Sequence, residues 1–533
     1  MANISDITSM ITADNIPVEN LPRRTFSGVV SACVCSTCVV IIIVFSTVPA
    51  FASHSPVVWG LEAILTTIGG IFTYILWVFV HKNGEQTLKR NTKDVTIRMK
   101  LLFLWLFGIV NIINSAINMA INCDCLAINA RDQFPGESIV SIATHVFEII
   151  FNTGQLGLIS SYASYRLKSS TLLNYGISTI ILTHLIRWFR TIFTSLISNK
   201  LIGINSNMSA FLNDCYWNSD LTSFRRSIVP WIEPTLTEYS LLAVSLMLRM
   251  WISFEDKSET ISNLPSEDER APLLHHTSLH NANSSPEIST TENSLRHVLR
   301  NSSIYICVLL AVILCLPMLT TVIMVSVVST YSYHYQVSTA IVQCLFKVEL
   351  LAIILLAYYF CYKQYEEQNK VDRFKSSRFI LILCTAGSIA YSTFGLIAGF
   401  MATKEDVYVV ASALVVQKIF EIVCIYLQTV LILQSSSFNT IRMINFSKGI
   451  PLYKIYCVLF SINITMWLLN SYARIDSDRI MSVERDFYGK NYWKAVNDVM
   501  YPITIFYRFH TAMDIYQLYK KYETLHTMHD EEA

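Results

Sequence analysis

The chain has 533 residues, of which 53% are hydrophobic and only 15% charged, with mean hydropathy +0.43. A soluble domain carries about 25% charged residues, so a soluble globular class is excluded. Net charge is +1, which offers no basic field for nucleic acid, and no nucleic-acid partner is expected.

Residues 1–25 are polar, contain Asp6, Asp14 and Glu19, and show no secretory signal. They read as a cytosolic N-terminus, with Arg23 and Arg24 against the first apolar run. About twelve apolar segments follow, each long enough to cross a bilayer as a helix. They lie near 26–50, 57–80, 99–122, 138–164, 172–198, 228–252, 303–329, 337–362, 379–402, 407–433, 450–472 and 496–519. The runs are continuous rather than alternating, and they exceed the roughly 10 residues of a barrel strand. The fold class is therefore an all-α polytopic membrane protein.

Residues 253–302 are rich in Ser, Asn, Thr, Glu and His and lack the apolar periodicity of a core. They read as a disordered cytosolic linker between a six-helix half at 26–252 and another at 303–520, with 521–533 as a cytosolic C-terminus. An even number of crossings gives both halves one orientation. The halves are then pseudo-symmetric, a parallel repeat about an axis along the membrane normal. Loops placed inside carry cations, such as Lys82, Lys89, Arg90, Lys93, Arg98 and Lys100, or Lys363, Lys370, Arg373, Lys375 and Arg378. The loop at 473–495 opposes this pattern: placed outside, it holds Arg474, Arg479, Arg485, Lys490 and Lys494.

One motif occurs twice. Phe147-Glu148-Ile149 is followed by Gln155, and Phe420-Glu421-Ile422 by Gln428, at the same offset. On a helix that offset returns each Gln to the face of its Glu, roughly 10 Å away. Pro234 and Tyr239 in the sixth segment repeat as Pro502 and Tyr507 in the twelfth. A carboxyl group in a membrane helix is costly and marks function by default. Desolvated, Glu148 and Glu421 are expected to titrate nearer neutral pH and exchange protons.

Other polar groups interrupt the apolar runs: Glu62, Glu238, Glu349, Lys347, Gln343, Asn470, His145, His184, Arg187, Arg190 and Arg508. Asn111, Asn114 and Asn118 form a stripe on the third segment, which lines a cavity or serves as interhelical glue. His510 relays protons or is a satisfied core histidine, and Arg508 reads as a structural ion-pair partner. Cys33, Cys35 and Cys38 read as small core residues rather than a metal cluster, whereas Cys123, Cys125 and Cys215 fall on expected outer loops, where a disulfide can form. No Walker-type loop, arginine ladder or carbonyl-filter motif is present, and neither an enzyme, a cofactor nor a metal is expected. On the residues alone, a proton channel, a proton-coupled secondary transporter of an unknown solute, and a non-conducting scaffold stay open.

Tyr501-Pro502-Ile503-Thr504-Ile505-Phe506-Tyr507-Arg508-Phe509-His510-Thr511 resembles the closing signature of the otopetrins, a family of proton-selective channels. Glu238-Tyr239-Ser240-Leu241, Leu102 to Gly108, and Asp486-Phe487-Tyr488-Gly489 resemble further stretches of that family. The resemblance implies twelve helices in two barrel-like halves, a plasma-membrane homodimer amid lipids and sterol, and proton influx on external acidification. It implies roles for Gln155, Gln428, Glu238 and His510. Two departures stand out: Asn118 where relatives have Lys, and Thr194 where they have an acid. The expected pathway comprises Glu148, Gln155, Glu238, Glu421, Gln428 and His510, supported by Asn111, Asn114, Asn118, Asn470 and Arg508.

Overall fold

The computed structural model describes residues 55–83, 88–90, 95–128, 135–167, 170–198, 220–251, 304–321, 333–367, 376–402, 408–436, 438–441, 451–473 and 482–532. The first expected segment, the linker at 253–302 and Thr194's side chain lie outside them.

Apolar runs in lipid satisfy their backbone internally, and helices result. In chain order these are α1 (Ser55–Lys82), α2 (Ile97–Ile128), α3 (Pro135–Tyr162), α4 (Thr171–Ser198), α5 (Asp220–Met250), α6 (Ile304–Thr321), α7 (Tyr333–Gln364), α8 (Ser376–Met401), α9 (Tyr408–Ser435), α10 (Leu452–Ala473), α11 (Ser482–Tyr488) and α12 (Lys490–Glu532). Among the described residues, seven helices are long and apolar enough to cross a membrane: α1, α2, α6, α7, α8, α9 and α10. α3, α4, α5 and α12 have the length but are more polar. Their polar side chains are largely buried: Glu148 and Gln155, His184 and Arg187, Glu238, Arg508 and His510.

α1 packs on α3 and α4, α2 on α3 and α5, and α4 on α5. Farther along, α7 packs on α9 and α10, α8 on α9 and α12, and α10 on α12. α5 touches α8, α10 and α12, so it joins the two groups. Two short antiparallel ribbons tie helix ends together. β1 (Leu88–Arg90) pairs with β2 (Tyr165–Leu167), Lys89 facing Arg166. β3 (Tyr365–Glu367) pairs with β4 (Phe438–Ile441), Glu366 facing Thr440, with a register shift at Glu366/Glu367. Each ribbon links the end of one helix to the end of the helix two further on: α1 to α3, and α7 to α9.

Three expectations change. The twelfth segment, expected at 496–519, is a 43-residue helix with Pro502 inside it. The loop at 473–495 contains α11, whose Val483 and Glu484 are buried. Glu349, expected inside, lies on the exposed face of α7, because Lys347 two residues earlier takes the inward face. Cys123, on α2, is exposed and has no disulfide partner among the described residues.

Candidate functional site

α3 presents His145, Glu148, Asn152 and Gln155 at helical spacing toward the interior, and all four are buried. The Ser115 hydroxyl donates to Glu148 Oε2 at 2.8 Å, and His145 Nδ1 lies 2.9 Å from the same oxygen. Arg187 Nη2 approaches Glu148 Oε1 at 3.5 Å. That guanidinium also donates to Asn152 Oδ1 at 2.6 Å and to Asn111 Oδ1 at 3.4 Å. One level along α3, Gln155 Nε2 donates to the Thr73 hydroxyl at 2.6 Å. His184 sits between the rings of Phe151 and Tyr239, with centroids at 5.0 and 5.6 Å. Among the described residues, no protein partner meets either ring nitrogen of His184, Gln155 Oε1, Asn152 Nδ2 or Asn114 Oδ1.

α9 builds the second cluster. Lys347 Nζ from α7 donates to Glu421 Oε1 at 2.9 Å, and Lys418 Nζ lies 3.4 Å from Oε2. Arg508 from α12 adds its field to the same carboxylate. Gln417 donates to Gln343 at 2.6 Å. Below them, Gln428 is fully buried, and neither its Oε1 nor its Nε2 finds a protein partner among the described residues. Arg508 Nε and Nη1 are likewise unmet.

A third site lies where the two helix groups meet. Trp467 Nε1 on α10 donates to Glu238 Oε1 on α5 at 2.6 Å. Glu238 Oε2 finds no partner among the described residues. The Trp467 ring packs against Phe103 at 5.5 Å, Phe107 at 5.9 Å and Phe509 at 5.6 Å. His510 follows Phe509, with its Nε2 3.8 Å from Asp514 Oδ2. Asp514 also faces Lys100, and both are buried.

These positions correct the expectation of two lone desolvated acids. Glu148 and Glu421 are both paired with cations. Glu238 is a buried acid whose observed partner is neutral. Arg508, read as an ion-pair partner, faces Glu421 without a close salt bridge among the described residues. Asn111 reaches the first cluster, whereas Asn118 is half-buried and its carbonyl accepts from Asn122. Asn470 is half-buried and its carbonyl accepts from Tyr501 at 2.7 Å. Ser115, Thr73, Lys418, Trp467 and Asp514 join the sites beyond the expected residues, and Lys100, expected as a cation of an inside loop, is buried on α2. Lys418 stands three residues before Glu421, as His145 does before Glu148, and that spacing is the available signal.

A family model described as Otopetrin matches residues 195–509, more than half the chain. This chain belongs to the otopetrin family. It is also 23% identical over 299 residues to "Proton channel OtopLc" of Drosophila melanogaster, a match that covers 55% of this chain and 17% of that relative. Glu238, Gln428, Glu421 and the first half of α12, up to Phe509, fall inside the region that marks the chain as an otopetrin, whereas Glu148 and Gln155 precede it and His510 follows it.

Proposed function

We propose that this otopetrin is a proton-selective channel of the plasma membrane, carrying protons inward when the outside is acidified. The observation that carries the reading is the set of buried polar atoms that, among the described residues, no protein group meets beside each Glu-Gln pair. A buried donor or acceptor requires a partner, and an enclosed polar site recruits water as one. Water held by His184, Asn152 and Gln155 in one column, and by Gln428 and Arg508 in the other, forms wires along which protons hop. Glu238, at the junction, provides a carboxyl that exchanges its proton without breaking an ion pair. The repeated ribbons and the matched Glu-Gln motifs support two pseudo-symmetric halves, and six helices in each, twelve crossings and cytosolic termini belong to the same reading. A homodimer in contact with membrane lipids and sterol completes the reading.

The second cluster favours protons over metal ions. Lys347, Lys418 and Arg508 surround one carboxylate, Glu421. Cation filters use rings of acids or carbonyls, and this site has the opposite balance. A proton hopping between waters needs no such ring.

Whole-cell recording during acid steps tests the reading. A pH unit is 1.36 kcal/mol and 100 mV is about 2.3 kcal/mol per charge, so the reversal potential should move ~59 mV per pH unit. A reversal potential that tracks sodium or chloride rejects it. Flux that requires an added solute points instead to a coupled transporter.

A further inference from the structure

α11 carries a buried acid. Glu484 is 1% exposed, and its Oε1 finds no hydrogen-bond partner among the described residues. Beneath it, α8 offers a glycine. A Cβ built on Gly395 would lie 2.7 Å from Lys418 Cε and 3.2 Å from Glu484 Oε1. The missing side chain is therefore what lets the Lys418 stem and the Glu484 carboxyl reach one spot. Lys418 in turn pairs with Glu421, the head of the second cluster.

The surroundings hold α11 in place. Tyr488 donates to the Phe394 carbonyl at 3.0 Å and stacks on Trp493 of α12 at 5.8 Å. Tyr391 of α8 stacks on Trp493 and lies 5.4 Å from the Lys418 ammonium. Among the described residues, the charged and titratable groups facing Glu484 are Lys418 and Glu421 from α9 and Tyr488 on its own helix. Arg485 and Asp486 pair with each other at 4.0 Å on the more open face. Burial pushes the Glu484 carboxyl above its usual range, and Lys418 draws it back down.

We propose that Glu484 is the acid sensor of the second column: its charge sets how Lys418 is shared with Glu421, and so the external pH at which current turns on. The proposal rests on the channel reading, in which α11 caps the outer end of that column. Ionised Glu484 draws the Lys418 ammonium outward. Proton uptake as external pH falls releases Lys418 to Glu421 and changes the entrance to the polar column. Glu484 is a positioning residue here, acting through Lys418.

The test is whole-cell current against external pH, with surface protein quantified for each variant. Glu484→Gln fixes the neutral form, so half-activation should move to higher pH by about 1 unit, the size expected on removing a charged neighbour. Gly395→Ala should shift it in the same direction by wedging Lys418 away from the carboxyl. Glu484→Asp should keep the wild-type profile. Half-activation unchanged in both Glu484→Gln and Gly395→Ala, beside a wild-type proton current, overturns the inference alone. A wild type without acid-evoked proton current overturns the channel reading and the inference together. If Glu484→Gln fails to reach the surface, Gly395→Ala decides: a shift supports the sensor, and an unshifted profile rejects it.

Discussion

The Tyr507 hydroxyl donates to the carbonyl of Ile425 at 3.1 Å, four residues beyond Glu421. Tyr239 does the equivalent in the other helix group, reaching the carbonyl of Asn152 at 3.5 Å, four residues beyond Glu148. Both tyrosines follow a proline by five positions. A sequence repeat thus becomes a repeated contact that fixes each Glu-bearing helix against its neighbour. Losing a hydrogen bond of this kind costs about 1 kcal/mol. Tyr507→Phe should lower the thermal midpoint of detergent-solubilised protein more than Tyr239→Phe, whose contact is longer. Equal losses would contradict that ranking.

The Glu421 carboxylate is held by two lysines, and removal of the shared acid strands both. Breaking a buried pair in this way costs roughly 3–5 kcal/mol. Glu421→Gln is therefore expected to cut folded yield sharply. Lys347→Met should be milder, because Lys418 still reaches Glu421 at 3.4 Å. Thermal midpoints measured side by side settle the order, and a Lys347→Met variant as damaged as Glu421→Gln would falsify it.

In the first cluster the weight falls on Arg187. It meets Glu148, Asn152 and Asn111 at once. Arg187→Met should destabilise by roughly 3–5 kcal/mol, whereas His145→Gln, which leaves Ser115 and Arg187 on the acid, should cost about 1 kcal/mol. Chemical denaturation in mild detergent, followed by tryptophan fluorescence, distinguishes the two; comparable losses would show that the guanidinium is not the hub.

Glu238 separates stability from conduction. Glu238→Gln keeps an oxygen for the Trp467 N–H, so the fold should persist while the exchangeable carboxyl is gone. Proton current per surface channel should fall on the order of tenfold or more, a barrier increase of at least ~1.4 kcal/mol. Trp467→Phe removes the donor and leaves the acid bare, at a cost of about 1–3 kcal/mol. Undiminished current in Glu238→Gln at matched surface level would remove this acid from the proposed pathway.

Hydropathy located the described helices other than α11, and the Glu-x6-Gln repeat pointed to two of the three polar sites. Its limit is that an apolar run interrupted by polar residues does not reveal which face is buried: Lys347 and Glu349 are equivalent by hydropathy, and only Lys347 turns inward to form the ion pair. Nor does periodicity name partners. Arg187 and Lys347 come from helices in different relative positions, and a charged partner chosen by packing leaves no local trace. Trp467 and Glu238 are 229 residues apart, and α11, seven residues within a cation-rich loop, is too short to carry an apolar run.

That separation has a consequence for biogenesis. At about 5–20 residues per second, roughly 10–50 s of synthesis elapse between the ribosome's addition of Glu238 and of Trp467. Throughout that interval the nascent N-terminal part holds an acid whose indole cap does not yet exist. A truncated product would keep the uncapped acid permanently, a mark by which membrane quality control could tell it from a finished chain.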